Sequence, residues 1–302
     1  MEYKIGGGSL MELSEKLIGL IELAGLSREY IEKLAQSTID EDLAGGQDVT
    51  SIATIPSNQQ SIAEFRNRKR GVIAGLPIVA AVLEICGIKD FKIDCVDGDY
   101  LAENSLILTA NGSTQSILLA ERTALNFLGH LSGIATLTKS WVDAVSGTKT
   151  AIRDTRKTTP GLRDLEKYAV RVGGGVNHRL SLSDSALIKD NHLLAAGGVA
   201  KAFQLVSEKY PNLTLEVEVD SLQQLQEALD TGAKFILLDN MSVADVRSAV
   251  EMTAGRAKLE ASGGLDLISA PAYAKTGVDY LAVGALTHSA PVLDIGLDLR
   301  MG

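Results

Sequence analysis

Apolar positions along this chain change rhythm near residue 150, and the change divides it in two. Over residues 11–36 they recur at helical spacing, as Leu13, Leu17, Leu20 and Ile21, then Tyr30, Ile31 and Leu34, which predicts helix. Between 38 and 115 short runs, SIAEFRN, FKIDCVD and SLILTANG, have the residue types of strands. They flank an apolar stretch around 76–86 that reads as a buried helix, and Asn111-Gly112-Ser113 reads as a turn. This first part is α+β. A long helix is predicted over 118–145, with Gly129 and Gly133 as breaks or points of close packing.

Beyond residue 150 apolar runs alternate with helical segments. The predicted strands are TAIRD (150–154), ALIKD (186–190), LEVEV (215–219), FILLD (235–239), AKLEA (257–261) and YLAVG (280–284). SLQQLQEALDTG, SVADVRSAVEMT and LISAPAYAKTG separate the last four as helices. Runs that are apolar on both faces suit a parallel sheet covered by helices. Repeats of one strand plus one helix, without a dinucleotide fingerprint, favour an α/β barrel over a doubly wound sheet. The predicted strands are too few for a full eightfold barrel unless others lie within 118–180.

Composition removes several alternatives. The chain has 302 residues, 45% hydrophobic and 22% charged, with net charge -9. That is the balance of a folded globular protein, and it argues against a general nucleic-acid partner. Cys86 and Cys95 have neither metal spacing nor the numbers of a disulfide framework, which points to a reducing cytoplasm. MEYKIGGGSL lacks the apolar core of a secretion signal. The most apolar stretch, from Val72 to Ile88, is interrupted by Pro77 and Glu84 and predicts no membrane span.

Against the acidic balance, Arg153 to Lys189 holds eight Lys or Arg and four Asp or Glu. Cations crowded on short, Gly-rich connections suggest a pocket for a strongly anionic ligand. In an α/β barrel such groups gather where strands run into the following loops. Six strand ends obey this: Thr155-Arg156-Lys157, Lys189, Glu218 with Asp220, Asp239-Asn240, Ser262-Gly263-Gly264 and Gly284-Ala285. Arg156 and Arg179 suit planar carboxylates, Lys157 and Lys189 are point charges, and His178 adds a donor. Glu218 and Asp239 are hard oxygen ligands of the kind magnesium takes together with phosphate oxygens. The two small, backbone-exposing ends offer N–H groups to a phosphate. Gly173-Gly174-Gly175 reads equally as a helix C-cap or as a close approach to ligand. His130, His192, His288 and Trp141 read as structural.

DTRKTTPGLRDLEKYAVRVGGGVNHR, LSDSALIKDNH, EVEVD, LLDN, EASGG and VGALTHS, in this order, resemble the quinolinate phosphoribosyltransferase family, the carboxylating nicotinate-nucleotide pyrophosphorylases. ERTALNFLGHLSGIATLT is similar to the family's helix entering the barrel. The resemblance runs from about residue 40 to residue 298. It implies an N-terminal α+β sandwich domain over 11–125, joined by 290–302, and an incomplete α/β barrel of about seven strands over 126–289. It implies phosphoribosyl transfer from phosphoribosyl pyrophosphate to quinolinate, with decarboxylation, giving nicotinate mononucleotide, pyrophosphate and carbon dioxide for NAD biosynthesis. It also implies Mg2+, and a cytoplasmic homodimer with neither membrane nor nucleic-acid partner, in which Arg122 crosses the interface. Residue by residue, it makes Lys157, Lys189, Glu218 and Asp239 catalytic, the last two also holding the metal. Arg122, Thr155, Arg156, His178, Arg179 and Lys189 would bind substrate. Ser262, Gly263 and Gly264, with Val283, Gly284 and Ala285, would bind phosphate. Ser181, Val172 and Gly129-His130 depart from the family's usual residues. Rival readings are a related phosphoribosyltransferase-like protein of the molybdenum-transport type, a Schiff-base aldolase using Lys157 or Lys189, and a phosphoribosyl-binding module.

Overall fold

The computed structural model describes residues 13–301; MEYKIGGGSL and the first two residues of the helical stretch predicted at 11–36 lie outside them. The chain divides into two compact units, one reaching to Gly133 and resuming at Pro291, the other running from Ile134 to Ala290.

In the first unit the predicted N-terminal helix is two, α1 (Glu15–Leu23) and α2 (Arg28–Leu43). Gly25, at φ 68°, turns the chain between them. Ser14 and Ser27 cap the two helices by accepting the N–H groups of Leu17 and Tyr30. There follow α3 (Val49–Thr54), β1 (Gln60–Asn67), β2 (Gly71–Val72), α4 (Leu76–Ile85), β3 (Asp90–Ile93), β4 (Tyr100–Leu101) and β5 (Leu106–Ser113). The C-terminal strand Ile295–Met301, β1, β5 and β3 make an antiparallel sheet in that order. Helix α4 is buried on nearly every side, with α1 and α2 packed on it, and is apolar apart from Glu84, whose carboxylate accepts the N–H and hydroxyl of Ser14. The turn predicted at Asn111-Gly112-Ser113 is absent. These residues pair with Gln60, Ser61 and Ile62 of β1, which satisfies their backbone without a turn.

The chain passes directly into α5 (Thr114–Ala144). Gly129 and Gly133 do not break this helix. A Cβ on Gly133 would stand 2.1 Å from the Pro291 carbonyl oxygen, and one on Gly129 would stand 2.9 Å from a Val292 methyl. The two glycines let the returning C-terminal segment lie against the helix backbone, where Leu293 N–H donates to the Gly129 carbonyl at 3.0 Å.

The second unit continues with β6 (Ala151–Arg153), α6 (Arg163–Val172), β7 (Ala186–Ile188), α7 (Asp190–Ala196), α8 (Val199–Lys209) and β8 (Leu215–Val219). It ends with α9 (Leu222–Asp230), β9 (Phe235–Asp239), α10 (Val243–Thr253), β10 (Lys258–Ser262), α11 (Ala270–Ala274), β11 (Tyr280–Ala282) and α12 (Ala285–His288). Six strands form one parallel sheet in the order β6-β11-β10-β9-β8-β7. The molecule is therefore mixed α/β, and the parallel sheet stays open between β6 and β7 among the described residues. In place of a seventh ladder there is a single parallel bridge between Arg153 and Val176. Strand polarity alternates as the pleat requires. Val217, Val219, Ile236, Leu238, Leu259 and Ala261 are buried on one side, while Glu216, Glu218, Asp239, Glu260 and Ser262 fall on the other.

Candidate active site

The strand ends of the parallel sheet close round a cavity of about 790 Å3. Thr155, Arg156 and Lys157 follow β6, His178 and Arg179 come from the α6–β7 connection, and Lys189 follows β7; all line it. Glu218 and Asp239 enter from β8 and β9, Ser262, Gly263 and Gly264 from the end of β10, and Val283, Gly284 and Ala285 from beyond β11. Arg122 is exposed on α5 in the first unit and is not among the lining residues, nor is Asp220.

A buried ionic knot holds the cationic wall. Asp154 and Lys167 are fully buried, and Lys167 Nζ donates to Asp154 Oδ1 at 2.5 Å and to the His178 carbonyl at 2.9 Å. The same Oδ1 accepts His178 N–H at 2.7 Å, and Oδ2 accepts the Asn177 amide at 2.6 Å. Burial pushes Asp154 up and Lys167 down, while each one's charge pulls the other back. The knot fastens residues 177–178 to the end of β6, and so sets Arg179 near Arg156. Burial lowers Arg179, and the charge of Arg156 lowers it further. Among the described residues neither arginine nor Lys157 makes an ion pair, and the buried Arg156 Nε has no hydrogen-bond partner. Cations gathered without an ion-paired partner suit an anionic ligand.

The opposite wall is acidic. Lys189 Nζ lies 2.8 Å from Glu218 Oε2, and Glu218 and Asp239 stand at the ends of neighbouring strands. Asn240 at φ 53° and Gly263 at φ 91° shape the next loop. A Cβ on Gly263 would meet Asn240 Oδ1 at 2.2 Å, so the position requires glycine on both counts. Gly284 packs closely against Lys157 and His288, and Thr287 donates to the Lys157 carbonyl at 2.7 Å.

Deeper still, Arg153 Nη1 lies 2.5 Å from Glu260 Oε2 and 4.0 Å from Glu216 Oε1. His178 Nε2 lies 3.0 Å from Glu216 Oε2 and 3.5 Å from Glu260 Oε1. Its Nδ1 accepts Arg179 N–H at 2.7 Å. Burial, and then the charge of Glu216, push the Glu260 carboxyl up to about 7.

Sequence reading passed over this deeper layer. Glu216 and Glu260 break otherwise apolar strands on the same face as Glu218 and Ser262, which was the available signal. His288 lines the cavity, although it read as structural; it follows Gly284 by one helical turn. His192 is structural, its Nδ1 accepting Lys189 N–H at 3.0 Å. Gly173-Gly174-Gly175 ends α6 and packs against α5; a Cβ on Gly173 would lie 2.5 Å from the Ala135 carbonyl. Trp141 is core.

Residues 134–298 match the model for the C-terminal domain of quinolinate phosphoribosyl transferase, and residues 48–132 match that for its N-terminal domain. The nicotinate-nucleotide pyrophosphorylase [carboxylating] of Mycobacterium leprae is 52% identical over 267 residues, spanning 86% of this chain and 94% of that protein. The probable nicotinate-nucleotide pyrophosphorylase [carboxylating] of Bacillus subtilis is 40% identical over 276 residues, spanning 90% and 94%. The solved nicotinate-nucleotide pyrophosphorylase of Francisella tularensis superposes with TM-score 0.87 at 37% identity, covering 91% of this chain and 98% of that one. By these matches the chain belongs to the quinolinate phosphoribosyltransferase family.

Proposed function

We propose that this enzyme transfers the phosphoribosyl group of phosphoribosyl pyrophosphate to the ring nitrogen of quinolinate, with loss of carbon dioxide, to give nicotinate mononucleotide and pyrophosphate. The observation that carries this reading is the convergence of unpaired Arg156, Arg179 and Lys157 with Glu218, Asp239 and two glycine loops on one cavity. Arg156 and Arg179 take the two ring carboxylates and aim the nitrogen at the ribose carbon. Alignment of this kind lowers a barrier by at most about 7–11 kcal/mol. Lys157 and Lys189 supply positive charge to the reacting anions. The N–H groups around Ser262–Gly264 and Val283–Ala285 receive phosphate. Glu218 and Asp239 offset the positive charge that grows on the ribose as pyrophosphate departs. Once glycosylated, the ring nitrogen is cationic and stabilises the electron pair left on the adjacent ring carbon when its carbon dioxide departs; that carbon then takes a proton from water to give the product.

The same two carboxylates suit Mg2+, because they are hard oxygen donors on adjacent strand ends facing a phosphate-binding wall. When bound, the ion would screen the charge of the pyrophosphate. The reading includes a cytoplasmic homodimer in which Arg122 serves the partner's site. An exposed Arg122, whose side chain makes no hydrogen bond or ion pair among the described residues, supports the homodimer part. No nucleic acid or membrane takes part, and among the described residues no helix is long and apolar enough to cross a membrane.

The test is to supply quinolinate, phosphoribosyl pyrophosphate and Mg2+ and to measure the products. Pyrophosphate, carbon dioxide and nicotinate mononucleotide should appear in equal amounts. Arg156→Ala and Arg179→Ala should each cost about 1.5–3 kcal/mol of quinolinate binding, roughly 10- to 150-fold in KM, with little change toward phosphoribosyl pyrophosphate. Unchanged quinolinate titration in both variants would remove the carboxylate assignment.

A further inference from the structure

The mechanism leaves the deep cluster unused. Glu260 lies one interior layer below Ser262 on β10 and lines the cavity. Arg153 occupies its Oε2, whereas its Oε1 is buried and has no hydrogen bond. His178 Nε2 is likewise buried without a hydrogen bond, although Glu216 and Glu260 are both near it. Unsatisfied buried polar atoms in a well-packed interior call for an explanation.

The imidazole decides what the cluster can hold. Its Nδ1 accepts a backbone N–H, which leaves Nε2 to carry the ring hydrogen. A divalent ion held by His178, Glu216 and Glu260 would need a lone pair on that atom, which is absent. What the cluster lacks is a proton. Two ionised carboxylates against one guanidinium leave one negative charge uncompensated in a buried place. That charge would stand beside a pocket built for a dianion.

We propose that Glu260 acts as a neutral carboxylic acid whose Oε1–H donates a hydrogen bond to a carboxylate of the bound pyridine dicarboxylate, and that its ionisation expels this substrate. Glu260 is thus a specificity-determining residue of the reaction proposed above, and the inference rests on that reading. The groups facing it are Arg153 from β6, Glu216 from β8 and His178 from the α6–β7 connection, with Tyr280 of β11 under Arg153 at 4.7 Å. A carboxyl raised to about 7 keeps its proton below that pH and loses it above. Quinolinate binding is therefore complete on the acid side and falls as pH rises through this value. Phosphoribosyl pyrophosphate, held at the other wall, does not follow.

The experiment is the quinolinate KM of wild type and Glu260→Gln from pH 5.5 to 9, at saturating phosphoribosyl pyrophosphate. Wild-type KM should rise toward about tenfold per pH unit above neutrality. Glu260→Gln keeps a donor in the same outline and should flatten the rise. A flat wild-type profile, or a variant that rises in parallel, overturns the proposal. A second measurement does not depend on the variant folding. Quinolinate titrated calorimetrically into wild type at pH 8, in buffers of different ionisation enthalpy, should take up close to one proton per molecule bound. No uptake also overturns the proposal. Turnover that continues with a flat KM removes only this inference. Absence of nicotinate mononucleotide removes the proposed reaction instead, while the proton count still reports on Glu260.

Discussion

The interiors of the two units differ in kind. In the first, Phe65, Ile73, Ile78, Leu83, Ile107 and Leu108 are fully buried. Its enclosed polar groups are mostly neutral and are closed by hydrogen bonds. Ser61 and Thr114 share a hydrogen bond of 2.7 Å, Ser132 accepts Ala74 N–H at 3.0 Å, and the Asn67 amide donates to the Lys69 and Ala102 carbonyls. In the second, Asp154, Glu166, Lys167, His178, Glu216 and Glu260 are all buried. Buried charge contributes little net stability. The first unit is therefore organised for cohesion. The second tolerates costly electrostatics where anions are to be bound, as expected of a working site.

The largest test of that contrast pairs Lys167→Met with Phe65→Ala. Each should lose about 3–5 kcal/mol in urea unfolding, the one by stranding the buried Asp154 charge and the other by opening a cavity. Only Lys167→Met should also raise the quinolinate KM, because Asp154 holds the His178 backbone. A Lys167→Met protein with normal quinolinate KM would break the link between knot and site. A smaller test sets Gly133→Ala against Gly263→Ala. Both put a Cβ within 2.2 Å of an oxygen, which should cost about 1–3 kcal/mol. In Gly133→Ala the loss should show in melting temperature with both KM values kept. In Gly263→Ala it should show first in the KM for phosphoribosyl pyrophosphate. The mildest effect concerns Cys86 and Cys95, both free and pushed by burial up to about 12. At pH 8 they remain thiols, so iodoacetamide should modify native protein far more slowly than urea-unfolded protein. Equal rates would show the first unit to be open.

Strands β8 and β9 follow from sequence alone, with the bounds their apolar runs predict. Strand β7 is shorter than its letters suggest, because Lys189 already begins the turn into α7. The helical segment predicted over 267–277 shrinks to Ala270–Ala274, with Pro271 in its first turn. Helices α6, α7 and α8 escaped the periodic reading: α7 is short, and α6 carries Arg163, Lys167 and Arg171, three of the eight cations of the basic island.

Local chemistry along the chain was enough to determine the alternation of strand and helix, the polar strand ends, and the cations that stand apart from an acidic composition. These depend on spacing, and spacing is written in the letters. The single bridge from Arg153 to Val176 in place of a further ladder, the Asp154–Lys167 knot and the meeting of His178 with Glu216 and Glu260 were decided only by tertiary structure. Side-chain periodicity tells which face a strand residue occupies, but not whether water, an arginine or a second carboxylate lies across from it. That depends on how distant segments close on one another, and with it the charge that Glu260 can carry.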